Sequence, residues 1–179
     1  YQGRRYMKKV TQNGTVASHE RYLYRGYLQI AALDMLDNRN VLRTLLWDPL
    51  EPVATRPLAL VQDASLYCYG VDFNKNVTEV FDAQGTIAAA YDYSPYGTAT
   101  RTGRLVQPVQ WSGEMHDEES ALAYYNYRFY NPKDGRWINR DPIAEQGGWN
   151  LYAFLGNSLQ DKFDALGLKD KKKDKEFLG

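Results

Sequence analysis

The chain has 179 residues, and its 22 basic and 22 acidic side chains cancel to a formal net charge of zero. This length suits one or two domains and is enough to bury a sizeable core. The balanced charge gives no general attraction to nucleic acid or to an anionic membrane surface. Cys68 is the single cysteine, so a disulfide within the chain and a cysteine-based zinc site are both excluded.

The ends and apolar runs of the sequence say little about its destination. No apolar run approaches the roughly 18 residues of a membrane-spanning helix, and no signal peptide is visible. The sequence begins at Tyr1, inside a stretch that has the pattern of a strand. We therefore expect a piece of a longer protein.

Composition and turn spacing predict an all-β fold. Tyrosine occurs 15 times, and its ring packs well on a half-buried sheet while its hydroxyl reaches water or a polar partner. Turn signals such as Asn13–Gly14 and Asp37–Asn38 recur every 8–12 residues or so, a spacing typical of an antiparallel sheet that meanders or spirals. The pattern predicts a turn followed by a strand over Tyr1–Val10, and further strands at Tyr22–Ile30, Val41–Trp47, Tyr67–Phe73, Val77–Phe81 and Ile87–Tyr91. We expect Cys68, inside one of them, to be packed and inert.

A faint internal repeat accompanies these strands. Phe81–Thr86 and Tyr91–Thr98 both begin with an aromatic residue and an aspartate and both end in Gly-Thr. We interpret the aromatic residue as packing inward, the aspartate as capping a turn and the glycine as supplying an unusual backbone angle. One such unit cannot close a core, so the sheet is expected to extend beyond this segment.

The character of the sequence changes at Trp111. The pattern predicts a polar loop over 115–121, one continuous strand over 122–130, a hairpin loop over 131–135 and a returning strand over 136–140. A short helical turn is predicted from Asp161 onward. The charge run that begins at Lys169 is predicted to be a solvated tail.

Two aspartates stand out in this second part. Asp141 and Asp164 each head a short turn-like motif, and they lie 23 positions apart. From the residues alone, the simplest interpretation is that each caps a turn. His19 and His116 are far apart in sequence and are expected at the surface, so they give no support to a Ser-His-Asp triad or a zinc site. The Gly147–Gly148 pair lacks the lysine of a phosphate-binding loop.

The ordered motifs of this region resemble a known family. They are Tyr91–Gly97, Leu122–Pro132, Gly135–Ile143, Asn150–Tyr152, Gly156–Asn157 and Asp164–Leu168. Together they are similar to the Rhs/YD-repeat proteins, specifically to the RHS repeat-associated core. Members include bacterial polymorphic toxins, insecticidal Tc-type toxins and, more distantly, the teneurins of animals.

The resemblance implies an architecture and a set of partners. YD-repeat strands form a spiral β-shell, and the core region curls inward at its end. On this basis residues 1–110 are a shell segment, 111–168 are the core and 169–179 are a charged tail. The implied partners are the rest of the shell, an enclosed C-terminal toxin or other cargo, and its immunity protein. The implied location is secreted or at the cell surface.

The resemblance also implies a reaction that needs no cofactor or metal. Family members cut their own chain after the final Gly-Leu of the core by aspartic-protease-like chemistry. Carried over by motif, the catalytic residues are Asp141, Asp164 and Arg128, and the cut falls between Leu168 and Lys169. Two close carboxylates divide the roles of base and acid between them. A self-cutting chain needs only one turnover, so positioning can dominate the rate.

Two departures from the family pattern leave an alternative open. Ala144 stands where the family usually has glycine, and Ala165 where it usually has proline. Either change could shift a catalytic carboxylate. The sequence therefore supports two readings: a cargo-enclosing shell end with a single-turnover self-protease, and a structural or adhesive shell end whose cleavage site has lapsed.

Overall fold

The computed structural model describes residues 3–50, 55–143, 150–157, 162–164, 166–168 and 171–172. Their strands form three antiparallel sheets. The first contains β1 (Met7–Gln12), β2 (Thr15–Arg25), β3 (Leu28–Asp34), β4 (Val41–Trp47), β5 (Pro57–Gln62), β6 (Ser65–Val71), β7 (Val77–Phe81), β8 (Ile87–Tyr93) and β9 (Ala99–Gly103). The second contains β10 (Met115–Asp117), β11 (Leu122–Tyr125), β12 (Arg128–Asn131) and β13 (Arg136–Trp137). The third pairs β14 (Lys162–Phe163) with β15 (Lys171–Lys172).

The first sheet is a meander in which every strand pairs with the next one in sequence. Its first hairpin turns at Asn13 and Gly14, whose φ angles are +50° and +79°. Both residues tolerate a left-handed backbone, and a turn with positive φ at both central positions matches the twist of the strands it joins. The predicted all-β class and this hairpin are confirmed.

One turn geometry recurs three times along the sheet, over residues 72–76, 82–86 and 94–98. In each, the first residue donates its N–H to the carbonyl of the fifth and accepts from the N–H of the fourth. The first side chain caps the turn, because Asp72, Asp82 and Ser94 each accept from the N–H of the fifth residue. The predicted turn capping is confirmed at Asp82, but in the next unit Ser94 caps the turn and not Asp92.

Cys68 is exposed, and the prediction of a packed thiol was wrong. The strand β6 alternates its side chains, and Tyr67 and Tyr69 on either side of Cys68 pack against the core. Cys68 therefore lies on the opposite, solvent-facing side of the sheet.

The predicted single strand over 122–130 is two strands, β11 and β12, joined by a two-residue turn. Asn126 has a φ of +44° there, a conformation that asparagine tolerates better than most residues. Tyr125 then pairs with Arg128 across the hairpin. The consequence is that Arg128 begins a returning strand instead of lying in the middle of a long one.

Two further predictions in this region were wrong. Residues 115–117, predicted as loop, form β10 and pair with β11, because Met115 alternates with His116 to bury its side chain under the first sheet. The helical turn expected after Asp161 is replaced at residues 162–163 by β14, which pairs with β15. The returning strand β13 is shorter than predicted.

The first two sheets share a core. Leu28, Trp47 and Val77 of the meander belong to one buried cluster with Met115 and Tyr124 of the second sheet. A second, more aromatic cluster of Ala123, Tyr125, Tyr130, Trp137, Phe154 and Leu155 lies within the C-terminal part. Trp137 of this aromatic cluster contacts Arg128.

Candidate functional site

Arg128 is the centre of the candidate site. It opens β12 and is only 4% exposed. Its guanidinium lies 4.0 Å from the centroid of the Trp137 ring. A flat guanidinium stacks favourably on an aromatic face, and arginine is the cation best suited to a buried position between carboxylates.

The guanidinium joins the two aspartates that lie 23 positions apart in sequence. Its Nη1 lies 2.8 Å from Oδ2 of Asp141, and its Nη2 donates to Oδ2 of Asp164 over 3.2 Å. Both carboxylates are buried as well, at 7% and 6% exposure. The three predicted catalytic residues therefore meet at one point.

The third guanidinium nitrogen of Arg128 binds the backbone next to the expected cut. Nε of Arg128 donates to the carbonyl of Gly167 over 2.6 Å. The backbone N–H of Tyr127 donates to the Leu166 carbonyl over 3.1 Å. The β11–β12 turn and Arg128 thus hold the Gly-Leu motif against the site.

Asp164 also organises its own loop. Its Oδ1 accepts from the backbone N–H groups of Leu166, Gly167 and Leu168, at 3.1, 2.8 and 3.2 Å. Gly167 has a φ of +72°, and a Cβ there would lie 2.7 Å from the Tyr125 carbonyl oxygen. The close approach of the loop to β11 therefore requires glycine at this position.

Asp141 accepts fewer hydrogen bonds than Asp164 from the described part of the chain. Its Oδ1 accepts from the N–H of Ile143 over 2.9 Å, which is the turn capping predicted from sequence. Its own N–H donates to the Leu151 carbonyl over 3.1 Å. Within the described ranges, Asp141 therefore accepts from Ile143 and Arg128, whereas Asp164 accepts from three backbone N–H groups and Arg128.

Burial and charge act against each other at Arg128. Removal from water lowers the pKa of the Arg128 guanidinium below its ordinary value, and the neighbouring Asp141 and Asp164 oppose that shift. A group whose ordinary pKa is so high still carries its charge at neutral pH. The positive charge is therefore fixed between the two carboxylates.

A third acid, Glu114, lies nearby and was missed by the sequence analysis. It is buried and its Oε1 accepts from the Thr55 hydroxyl over 3.1 Å. Burial raises the pKa of Glu114 well above 4.5, the charge of Asp164 adds to the shift, and Thr55 and Lys75 oppose it. An isolated glutamate in a polar stretch of sequence carries no signal of such burial.

We expect Glu114→Gln to stabilise the fold increasingly as pH rises above about 4.5. Below that value the glutamate is protonated in both the folded and the unfolded chain, so its ionisation does not lower the free energy of unfolding. Above it the unfolded chain loses the proton first, and the free energy of unfolding falls until the raised pKa of the folded state is passed. Urea unfolding of the parent and the variant, measured at steps upward from about pH 4, near the ordinary pKa of a glutamate, gives the difference.

Glu119→Gln is the matched control, since Glu119 has a side chain that is 44% exposed and pairs with Lys8. Its effect on stability should be small throughout the range. A difference between Glu114→Gln and the parent that does not grow with pH would contradict the assignment.

The other residues singled out from the sequence fall partly inside and partly outside the described ranges. Leu168 is half-buried at the end of the Asp164 loop. Lys169, Ala144 and Ala165 fall outside the described residues. His19 on β2 and His116 on β10 are both half-buried and not at the surface as expected, because each lies within a paired strand, and burial lowers the pKa of His116.

Two kinds of feature are absent from the described ranges. Among those residues no group of three or more histidine, cysteine, aspartate or glutamate side chains is arranged to hold a metal ion. No helix within the same ranges is long and apolar enough to cross a membrane.

The sequence has toxin relatives, although no family model matches it. It is 29% identical over 154 residues to toxin subunit YenC2 of Yersinia entomophaga, a match that covers 83% of this chain and 14% of that protein. It is 44% identical over 62 residues to toxin protein Tse5 of Pseudomonas aeruginosa, covering 35% of this chain and 5% of Tse5. The chain thus corresponds to a small part of each of these relatives.

Solved structures share the fold. A crystal structure of TcdB2-TccC3 matches this chain with a TM-score of 0.69 at 21% identity. The match covers 90% of this chain and 8% of the TcdB2-TccC3 chain. A Tc holotoxin pore of Photorhabdus luminescens with a mutated TccC3 matches 97% of this chain with a TM-score of 0.73 at 23% identity, and covers 9% of that chain. The predicted fold, antiparallel strands that form part of a β-shell, is confirmed. The resemblance to Rhs-type toxin proteins that the motifs indicated is therefore confirmed at the level of sequence similarity and shared fold.

Proposed function

We propose that this chain closes a toxin-enclosing Rhs shell and cuts itself once, between Leu168 and Lys169. One observation carries the proposal. Arg128 binds Asp141 and Asp164 with its two terminal nitrogens and the Gly167 carbonyl with its third. Two carboxylates and one cation are therefore held beside the bond that the family motif marks for cleavage.

The chemistry assigns different roles to the two aspartates. A water oxygen forms a bond to the carbonyl carbon of Leu168 while Asp141, which accepts fewer hydrogen bonds than Asp164 from the described residues, takes a proton from that water. The carbon–nitrogen bond to Lys169 then breaks, and Asp141 passes the proton to the departing nitrogen. The products are a carboxyl group at Leu168 and an amine at Lys169.

Asp164 and Arg128 act by position and charge. Asp164 shapes residues 166–168 through three backbone hydrogen bonds, so it fixes where the Leu168 carbonyl lies. Arg128 provides the fixed positive charge that stabilises negative charge as it develops on the reacting group. Because the reaction occurs once within one chain, such positioning supplies much of the rate.

The wider role in this proposal follows the relatives. Residues 1–110 are taken as the shell segment, 111–168 as the core and 169–179 as a charged tail on the far side of the cut. The partners are the remaining shell, an enclosed toxin and its immunity protein, and the location is outside the producing cell or on its surface. Support comes from relatives that are themselves toxin proteins.

The alternative is a structural shell end whose cleavage has lapsed. Its support is that each aspartate also caps a turn, Asp141 toward Ile143 and Asp164 toward residues 166–168. In this reading the triad only stabilises the fold. The two functions differ in a single outcome, which is whether the chain is cut.

We expect Asp141→Asn to abolish cleavage while the fold is kept. The amide retains an oxygen for the Ile143 N–H but cannot take a proton from water, and its nitrogen then faces Nη1 of Arg128, donor against donor. For both reasons the cut should slow by about 10²–10⁴-fold. Intact mass measured over time on freshly made protein follows the reaction. Asp134→Asn is the matched control, because Asp134 is an exposed aspartate that accepts a hydrogen bond from Asn131 within its own turn.

Asp134→Asn should be cut at the parental rate. Cleavage of Asp141→Asn at the parental rate would remove Asp141 from the chemistry. A parent chain that stays whole would favour the structural alternative.

A further inference from the structure

The two strands of the smallest sheet lie on opposite sides of the expected cut. β14 (Lys162–Phe163) precedes Asp164, and β15 (Lys171–Lys172) follows Lys169 in sequence. They pair in antiparallel register, with Lys162 opposite Lys172 and Phe163 opposite Lys171. The bond between Leu168 and Lys169 therefore belongs to the segment that this ladder closes.

The ladder acts together with the contacts already described. On the near side of the cut, Asp164 and Arg128 fix residues 166–168. On the far side, β15 is fixed by backbone pairing to β14, which adjoins Asp164 directly. The described residues on either side of the expected cut are thus both bound to the chain around Asp164, residues 166–168 through its side chain and β15 through the strand that precedes it.

We propose that β14 is a docking strand for the segment after the cut, and that backbone pairing of Lys171 and Lys172 to it positions the bond for cleavage. This rests on the proposed function and adds to it a recognition mode. The segment beyond the cut would be recognised by strand addition, in which main-chain hydrogen bonds supply the binding and side chains contribute little. Lys171 and Lys172 are positioning residues in this account, and they act through their backbone.

Proline and alanine scans separate the backbone from the side chain. Lys171→Pro and Lys172→Pro each remove a backbone N–H, whereas Lys171→Ala and Lys172→Ala keep it. In an antiparallel pair, neighbouring positions alternate between bonded and non-bonded. We therefore expect one proline variant to slow cleavage by about tenfold to a hundredfold, the other to slow it less, and both alanine variants to be cut like the parent.

Lys175→Pro is the control, since it places a proline in the same charged tail beyond β15. Its cleavage should match the parent. Unfolding midpoints of all variants should also stay together, because two paired residues contribute little to the stability of the whole fold. Parental rates for both proline variants, or equal slowing by the alanine variants, would overturn the inference.

A second measurement tests the strand docking independently of whether the chain cuts itself. Amide hydrogen exchange is followed in the Asp141→Asn chain, with and without the proline substitutions. We expect amides within 162–163 and 171–172 to be protected from exchange, and we expect this protection to be lost in the more affected proline variant. Fast exchange at all of these amides would overturn the proposed strand docking even if the parent cuts itself. An uncut parent with protected amides would contradict the proposed cleavage but not the strand docking.

Discussion

Arg128→Met should cost the folded state about 3–5 kcal/mol, the largest stability loss among the substitutions considered. The change leaves Asp141 and Asp164 buried at 7% and 6% exposure without the cation that binds both. Methionine keeps some apolar and sulfur contact with the Trp137 ring, so the loss reports mainly the missing charge. Urea unfolding at neutral pH measures it. Cleavage should be lost in the same variant.

Arg101→Met is the matched control, because Arg101 and Glu118 form an exposed pair with side chains at 32% and 52% exposure. Its loss should stay within about 1 kcal/mol. Adding Asp141→Asn and Asp164→Asn to Arg128→Met removes the uncompensated charges, and the triple variant should regain part of the lost stability. A loss for Arg128→Met no larger than that of the control would contradict the buried triad.

Asp164→Asn should stop cleavage with a much smaller effect on folding. The amide oxygen can still accept from the N–H groups of residues 166–168, but the amide nitrogen then faces Nη2 of Arg128, donor against donor. The guanidinium is displaced from its shared position, and we expect cleavage to slow by at least about a hundredfold. Intact mass over time gives the rate and urea unfolding gives the stability.

Asp164→Ala separates the two roles of this side chain. Alanine removes both the charge and the three loop hydrogen bonds, so it should stop cleavage and destabilise the fold more than asparagine does. Equal stability losses for the two variants would mean that the loop does not depend on the Oδ1 acceptor. Normal cleavage in Asp164→Asn would reduce Asp164 to a turn cap.

The three proposed catalytic residues were predictable from the family motifs, but their geometry was not. Asp141 and Asp164 each head a recognisable turn, and the structure confirms the turn capping that the local sequence indicates. Their meeting at one guanidinium depends on the hairpin turn at Asn126. Alternating tyrosines on both sides of that asparagine have the same period as one long strand, so periodicity alone could not reveal the reversal.

Burial explains the other differences. Cys68 and its tyrosine neighbours form an aromatic strand pattern in which either face could be the buried one, and the meander exposes the cysteine. Glu114 is buried because the second sheet packs its first strand, β10, beneath the meander. Contacts of that kind join residues more than 50 positions apart, as Thr55 and Glu114 are, and local sequence does not encode them.

The most direct test of the central claim is the intact mass of the freshly made parent chain after incubation in heavy-oxygen water. Hydrolysis between Leu168 and Lys169 predicts two fragments split at that bond, with one heavy oxygen in the fragment that ends at Leu168 and none in the other. A chain that keeps its full mass through long incubation at mildly acidic and neutral pH, or that splits at a different bond, would contradict the account.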